Sequence, residues 1–159
     1  MKLRKQSKDI LLDSSIIIMT TLVLIVCYFR FIKRDENSFE CRSFEEIKIL
    51  DRKGNEKRII ELSNARGESY VLFLEINSCP SCIFKGFNEL RSLMDEGKTA
   101  FAVVIHDWFE EWSSWAASYE SFPVYLMRRE TYHNHIFSPY MPVLVKFNKN
   151  KVAKYRYVY

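Results

Sequence analysis

Residues 70–94 read YVLFLEINSCPSCIFKGFNELRSLM and carry three signals in succession. Tyr70 to Ile76 is mostly apolar, as a central strand covered on both faces requires. Ile83, Phe84, Phe87, Leu90, Leu93 and Met94 recur at helical spacing, and Gly97 supplies a helix stop. Between strand and helix stand Cys79, Pro80, Ser81 and Cys82. A cysteine at a helix N-terminus has its thiolate stabilised by unpaired N–H groups and the helix dipole. Cys82, one turn inside, can then attack a mixed disulfide formed on Cys79. Pro80 suits the first helical turn, where its missing N–H costs nothing. Zinc sites use the same cysteine spacing but need two further ligands. Cys41, His106, His133 and His135 are the candidates, and the chain has no second C-x-x-C. The reading is therefore no metal.

Outward from this stretch the chain alternates strands and helices. Phe44 to Leu50 and Arg58 to Leu62 read as a hairpin around the turn Asp51-Arg-Lys-Gly54-Asn55. Thr99 to Ile105 is a second buried strand. Asp107 is placed to cap the next helix, with Glu110 in capping-box position. Trp108, Phe109, Trp112, Trp115, Ala116 and Tyr119 line one face of that helix, as a helix packed on a sheet requires. Pro123 to Met127 is a short strand, and Arg128 to Phe137 holds one or two helical turns. Val143 to Phe147 and Lys151 to Tyr159 form a terminal hairpin across Asn148-Lys149-Asn150. This order predicts an α/β fold, a sheet with helices on its faces.

Apolar residues are 48% of the 159, enough for a packed core, and four cysteines are too few for a disulfide-built scaffold. The formal charge of +4 is unevenly placed. Residues 1–34 carry seven Lys/Arg against two Asp, while residues 35–159 carry 17 against 18 Asp/Glu. A nucleic-acid-binding domain would put its positive charge on the folded part, so nucleic acid is set aside. Ser14 to Phe29 is a run of 16 uncharged residues, extended by Ile10–Leu12 and by Phe31–Ile32. That makes roughly 20 residues, enough to cross ~30 Å of hydrocarbon. No Ala-x-Ala-like cleavage site follows, and Val26 is too bulky for a lipoprotein signal at Cys27. The expected organisation is a cytoplasmic N-terminus over 1–9, a transmembrane anchor over 10–32, a linker over 33–42 and a domain over 43–159. Four basic residues before the span and three after it place the domain outside the cytoplasm.

The hairpin with Asp51-x-x-Gly54 at its turn, Leu62-Ser63 with the following Gly67, the strand entering Cys79-Pro80-Ser81-Cys82, Phe122-Pro123-Val124, and Met141-Pro142 before Val143-Leu144-Val145 resemble the thioredoxin-fold redoxins. The nearest type is the membrane-anchored TlpA/ResA-like thiol–disulfide oxidoreductase, within the broader AhpC/TSA-like group. The resemblance covers about residues 41–159. It implies a thioredoxin-like central sheet and a redox-active Cys79–Cys82 disulfide with no bound cofactor. In that family the residue matching Pro142 is a cis-proline beside the disulfide, so the Met141–Pro142 bond is expected to be cis. There are departures. Ser78 stands where an aromatic residue is usual, and Phe73 where the preceding strand usually has a buried polar or acidic residue. Glu75, two residues on, is the candidate to take the proton from Cys82.

The combined expectation is a single-span protein of a bacterial inner membrane, its catalytic domain on the periplasmic or outer side. It would exchange disulfides with protein partners and draw on a membrane electron donor. Cys79 attacks, Cys82 resolves, Pro142 shapes the partner groove, and Pro80, Ser81 and Met141 contact the substrate. A non-catalytic binding module or copper chaperone is the alternative. A peroxidase would need a Thr shortly before the nucleophile, which Asn77-Ser78 does not supply.

Overall fold

The structure, a computed structural model, describes residues 19–21, 39–63 and 67–159. The chain divides into two compact units, Met1–Glu36 and Asn37–Tyr159. In the first, residues 19–21 are helical. The rest of the span expected over 10–32 lies outside the described residues. Among the described residues no helix is long and apolar enough to cross a membrane.

The second unit is built on a seven-stranded sheet. Its strands are β2 (Lys48–Leu50), β3 (Glu56–Arg58), β4 (Glu68–Glu75), β5 (Thr99–Ile105), β6 (Val124–Met127), β8 (Val143–Asn148) and β9 (Lys151–Tyr157), in the order β3-β2-β6-β5-β4-β8-β9. Two short strands, β1 (Glu40–Cys41) and β7 (Ile136–Phe137), pair with each other apart from it. The helices are α1 (Ile59–Leu62), α2 (Pro80–Asp95), α3 (Phe109–Ala117) and α4 (Arg129–His135). Parallel strands need a crossover, and α2 joins β4 to β5 as α3 joins β5 to β6. The mixed sheet with flanking helices is the expected α/β, thioredoxin-like architecture.

Alternation along the strands sends side chains to two separate cores. On one face Leu72, Leu74, Ala102, Val104 and Leu144 meet Ile83, Phe87 and Leu90 of α2 and Trp112 and Ala116 of α3. On the other, Val71, Phe73, Val103, Ile105 and Val143 meet Phe39, Phe44, Ile47, Ile59, Tyr132 and Ile136. Helix α2 ends as its sequence predicts. Gly97 adopts a φ of 73°, and the N–H groups of Gly97 and Lys98 bond the carbonyls of Met94 and Leu93.

Local expectation and structure differ at four places. The second hairpin strand is Glu56–Arg58, and Ile59–Leu62 is a helical turn rather than its continuation. After the Ile59 N–H bonds the Ile47 carbonyl at 2.9 Å, the chain turns so that Ile59 enters the core. Phe44–Glu46 is likewise a 3₁₀ turn, which buries Phe44 under Phe147. Asp107 does not cap α3, whose cap residue is Trp108. Its carboxylate instead accepts the backbone N–H of Arg129 at 3.2 Å, at the start of α4. Finally, the last residues expected in the linker belong to the fold. Phe39 is buried against Phe73 and Tyr155, and Glu40 and Cys41 pair with Phe137 and Ile136.

Helix α2 lies so close to β4 that a Cβ at Gly86 would sit 2.9 Å from a Leu72 methyl carbon. Leu72 is fully buried and has no room to yield. Gly86→Ala would gain about 1 kcal/mol in helix propensity but lose ~1–3 kcal/mol to overpacking. The expected net is a loss of about 1 kcal/mol, read as a lower denaturant midpoint at unchanged slope. An equal or higher midpoint would show that the helix can move off the strand.

Candidate active site

The site begins with the turn that leaves β4. Ser78 donates its N–H to the Glu75 carbonyl at 3.0 Å, and Glu75 donates its own N–H to Ser78 Oγ at 3.2 Å. This turn delivers Cys79 to the cap position of α2, with Pro80 as the first helical residue. The Cys79 carbonyl accepts the Ile83 N–H at 2.9 Å, so the sulfur stands beside the unpaired amides of the first turn.

Cys79 and Cys82 are both free thiols; Cys79 is exposed and Cys82 half-buried. Their acidities are driven apart. The Cys82 thiol donates to Cys79, the Ser81 hydroxyl lies 3.0 Å from the Cys79 sulfur, and the backbone N–H groups of Cys82 and Ser81 point at it. Together they bring the Cys79 thiol from 9.0 down to about 7. Cys82 moves up, chiefly because its proton is engaged by Cys79, with desolvation and the Cys79 charge adding to the effect. Ser81 and Lys85 act on it in the opposite sense. One thiol thus titrates near neutrality, while its neighbour holds its proton to higher pH.

The Met141–Pro142 bond is cis, as the resemblance implied. The register Phe73↔Val143 carries Met141 and Pro142 past the end of the β4–β8 ladder, on the side where β4 runs out toward Cys79. Pro142 is buried and its carbonyl accepts the Val158 N–H at 2.9 Å. Among the described residues nothing pairs with the backbone N–H or C=O of Met141. Strand β5 ends level with β4, through Glu75↔Ile105, and the residues that follow it carry Trp108, 68% exposed. Trp108 therefore leaves the packing face that helical periodicity assigns it and stands at the same sheet edge as the thiols.

Glu75 lies on the sheet face of Phe73, opposite the face that α2 covers. Its carboxylate accepts from Arg129 Nη1 at 3.0 Å. The groups that act most on the Cys82 thiol are Cys79, Ser81 and Lys85, not Glu75. Arg129 is not singled out by the sequence, being 54 residues from Glu75 in a polar stretch without periodicity, and Asp107 is read there only as a helix cap. His106 Nε2 and Glu111 Oε2 are 3.0 Å apart, which gives His106 a structural partner. Cys41 packs against the core, and burial pushes its thiol up to about 12. Among the described residues no three His, Cys, Asp or Glu side chains are grouped to hold a metal ion.

No family model and no curated protein sequence matches this chain. Solved structures do match. A thiol:disulfide interchange protein from Bacteroides sp. aligns over 69% of this chain and 75% of its own, at TM-score 0.56 and 16% identity. A thioredoxin-like protein from Porphyromonas gingivalis aligns over 71% and 78%, at TM-score 0.53 and 12% identity. The fold is thioredoxin-like. At these identities the likeness concerns the backbone and leaves the chemistry to the residues.

Thiolate, not thiol, reacts with alkylating agents. The rate of Cys79 alkylation, followed by site-resolved mass spectrometry, should rise with pH through an inflection near 7. Ser81→Ala removes one of the groups that holds the anion, so the inflection should move to higher pH. An inflection unchanged in that variant would remove Ser81 from the account.

Proposed function

We propose that this protein is a thiol–disulfide oxidoreductase that exchanges disulfides with protein partners through Cys79 and Cys82. The observation that carries the reading is the divided acidity of the pair at the start of α2. Cys79, as thiolate, attacks one sulfur of a partner disulfide. A Cys79–partner bond forms, and the partner's other sulfur leaves as thiolate. Cys82 then loses its proton and attacks the Cys79 sulfur. The Cys79–Cys82 disulfide forms, the second partner thiolate departs, and two electrons have passed to the partner. Run in reverse, the same steps oxidise a dithiol. The greater acidity of Cys79 makes it the thiolate that attacks first, and its exposure makes it the sulfur a partner can reach.

The likeness in fold to a thiol:disulfide interchange protein supports this reading. The free backbone of Met141 beside Pro142 supports a partner bound as an added strand, with Pro80 and Ser81 lining the approach to the sulfur. The chemistry needs no bound cofactor, only a source or sink of electrons, and a membrane electron donor would serve a domain held outside the cytoplasm. The uncharged run within residues 10–32 supports such an anchor, with residues 1–9 on the cytoplasmic side of a bacterial inner membrane. Alkaline phosphatase fused after Tyr159 should then be active in intact cells. Activity of a cytoplasmic reporter at that position would overturn the topology.

The exchange itself has a direct test. Cys82→Ser removes the resolving thiol, so mixed disulfides with partners should accumulate on Cys79 and disappear on reduction. Cys79→Ser should capture none. Equal capture by the two variants would remove the assignment of roles.

A further inference from the structure

Glu75 belongs to two assemblies at once. Its backbone closes both hydrogen bonds of the turn that delivers Cys79. Its carboxylate binds Arg129, the first residue of α4. Asp107 holds Arg129 twice, accepting its backbone N–H at 3.2 Å and approaching Nε at 3.4 Å. One turn along α4, Tyr132 donates its hydroxyl to the Ser138 carbonyl at 3.3 Å. Ser138 Oγ donates to the Tyr140 carbonyl at 2.8 Å, and Tyr140 leads directly into Met141 and Pro142. A continuous path therefore runs from the Cys79 turn, through α4, to the loop that carries the free Met141 backbone. Its one charged junction is Arg129.

An isolated ion pair this exposed, with Arg129 at 41% and Glu75 at 30%, would contribute little to stability. The significance lies in what is attached. Helix α4 has seven residues, and β7 after it pairs with β1 over two. So short an element is placed by its end contacts rather than by its own helical stability. The guanidinium fork reaches two carboxylates from different strand ends, which a point charge cannot do in the same geometry.

We propose that Arg129 is a positioning residue for disulfide exchange. By holding α4 to the ends of β4 and β5, it fixes the Met141 backbone relative to Cys79 and so the grip on an extended polypeptide partner. This rests on the exchange reading above, with its partner bound as an added strand, and adds to it the residue that holds the Met141 backbone in place for that partner. A small disulfide without a peptide backbone should not depend on Arg129.

The test uses the full chain and two probes. One is a short uncharged peptide whose single cysteine is linked to thionitrobenzoate. The other is dithionitrobenzoate itself. Release of thionitrobenzoate is followed for each, with Cys79→Ser as the blank. Arg129→Met should lower the second-order rate with the peptide about tenfold, through a higher half-saturating concentration at unchanged saturated rate. The rate with dithionitrobenzoate should stay within about twofold, because the attacking sulfur is untouched. Arg129→Lys should recover part of the loss. Equal losses on both probes, or no loss on either, would overturn the proposal. Should Arg129→Met fail to fold, Tyr132→Phe cuts the same path farther along. It should show the same selective loss, and absence of that selectivity would equally overturn the proposal. Wild-type protein inert toward both probes would sink the exchange reading, and the role of Arg129 with it, a result distinct from any of these.

Discussion

Four consecutive residues, Val71 to Leu74, are fully withdrawn from solvent. A strand side chain points to one face or the other, so this is possible only if both faces of β4 are covered. The covering of the two faces shapes the domain. Helices α2 and α3 close one side. Phe39, the 3₁₀ turn at Phe44, Ile59 and α4 close the other. The strand so enclosed ends at Glu75, and the turn that follows it delivers Cys79. The Cys79 sulfur is thus presented from the end of a fully enclosed strand, while the groups that approach it come from the periphery.

The two thiols show how little chemistry the site needs to import. The Cys79 anion is favoured by neutral donors rather than by a formal positive charge, chiefly by the Cys82 thiol and then by the Ser81 hydroxyl. Hydrogen bonds to an ionised acceptor are stronger than those between neutral groups. A helix start collects several such donors in one place, and together they outweigh the desolvation of the sulfur. The same geometry raises Cys82, since a proton shared with a neighbouring anion is harder to remove. In the proposed exchange, attack and resolution would be separated by one helical turn of backbone.

Where local sequence rules failed, a tertiary contact offered something better. Arg58 to Leu62 reads as the second strand of the hairpin, yet burial of Ile59 on the sheet favours a turn of helix. Asp107 and Glu110 have the spacing of a capping box, yet the Asp107 carboxylate gains two contacts from Arg129 on another element. Trp108 fits the apolar stripe of α3 by number, but it precedes the first helical turn and points to solvent. Each rule describes the average neighbour, and for Asp107 the actual neighbour comes from 22 residues away.

Sequence alone determined the fold class, the central strand and the helix behind the cysteine pair, and it offered Cys79 as the nucleophile proposed above. All of these follow from periodicity and from spacing within one or two turns, where chain connectivity fixes geometry. The cis geometry at Met141–Pro142 was legible through resemblance, because the residues flanking it and their order match a known arrangement. The partner of Glu75 was not legible. Glu75 and Arg129 meet because β4 ends beside β5, the chain passes on through α3 and β6, and α4 then folds back across the sheet end. Nothing in the local pattern around residue 129 encodes that return. Long-range proximity is set by how the sheet orders its strands, and only the assembled tertiary structure decides which side chains share its edge.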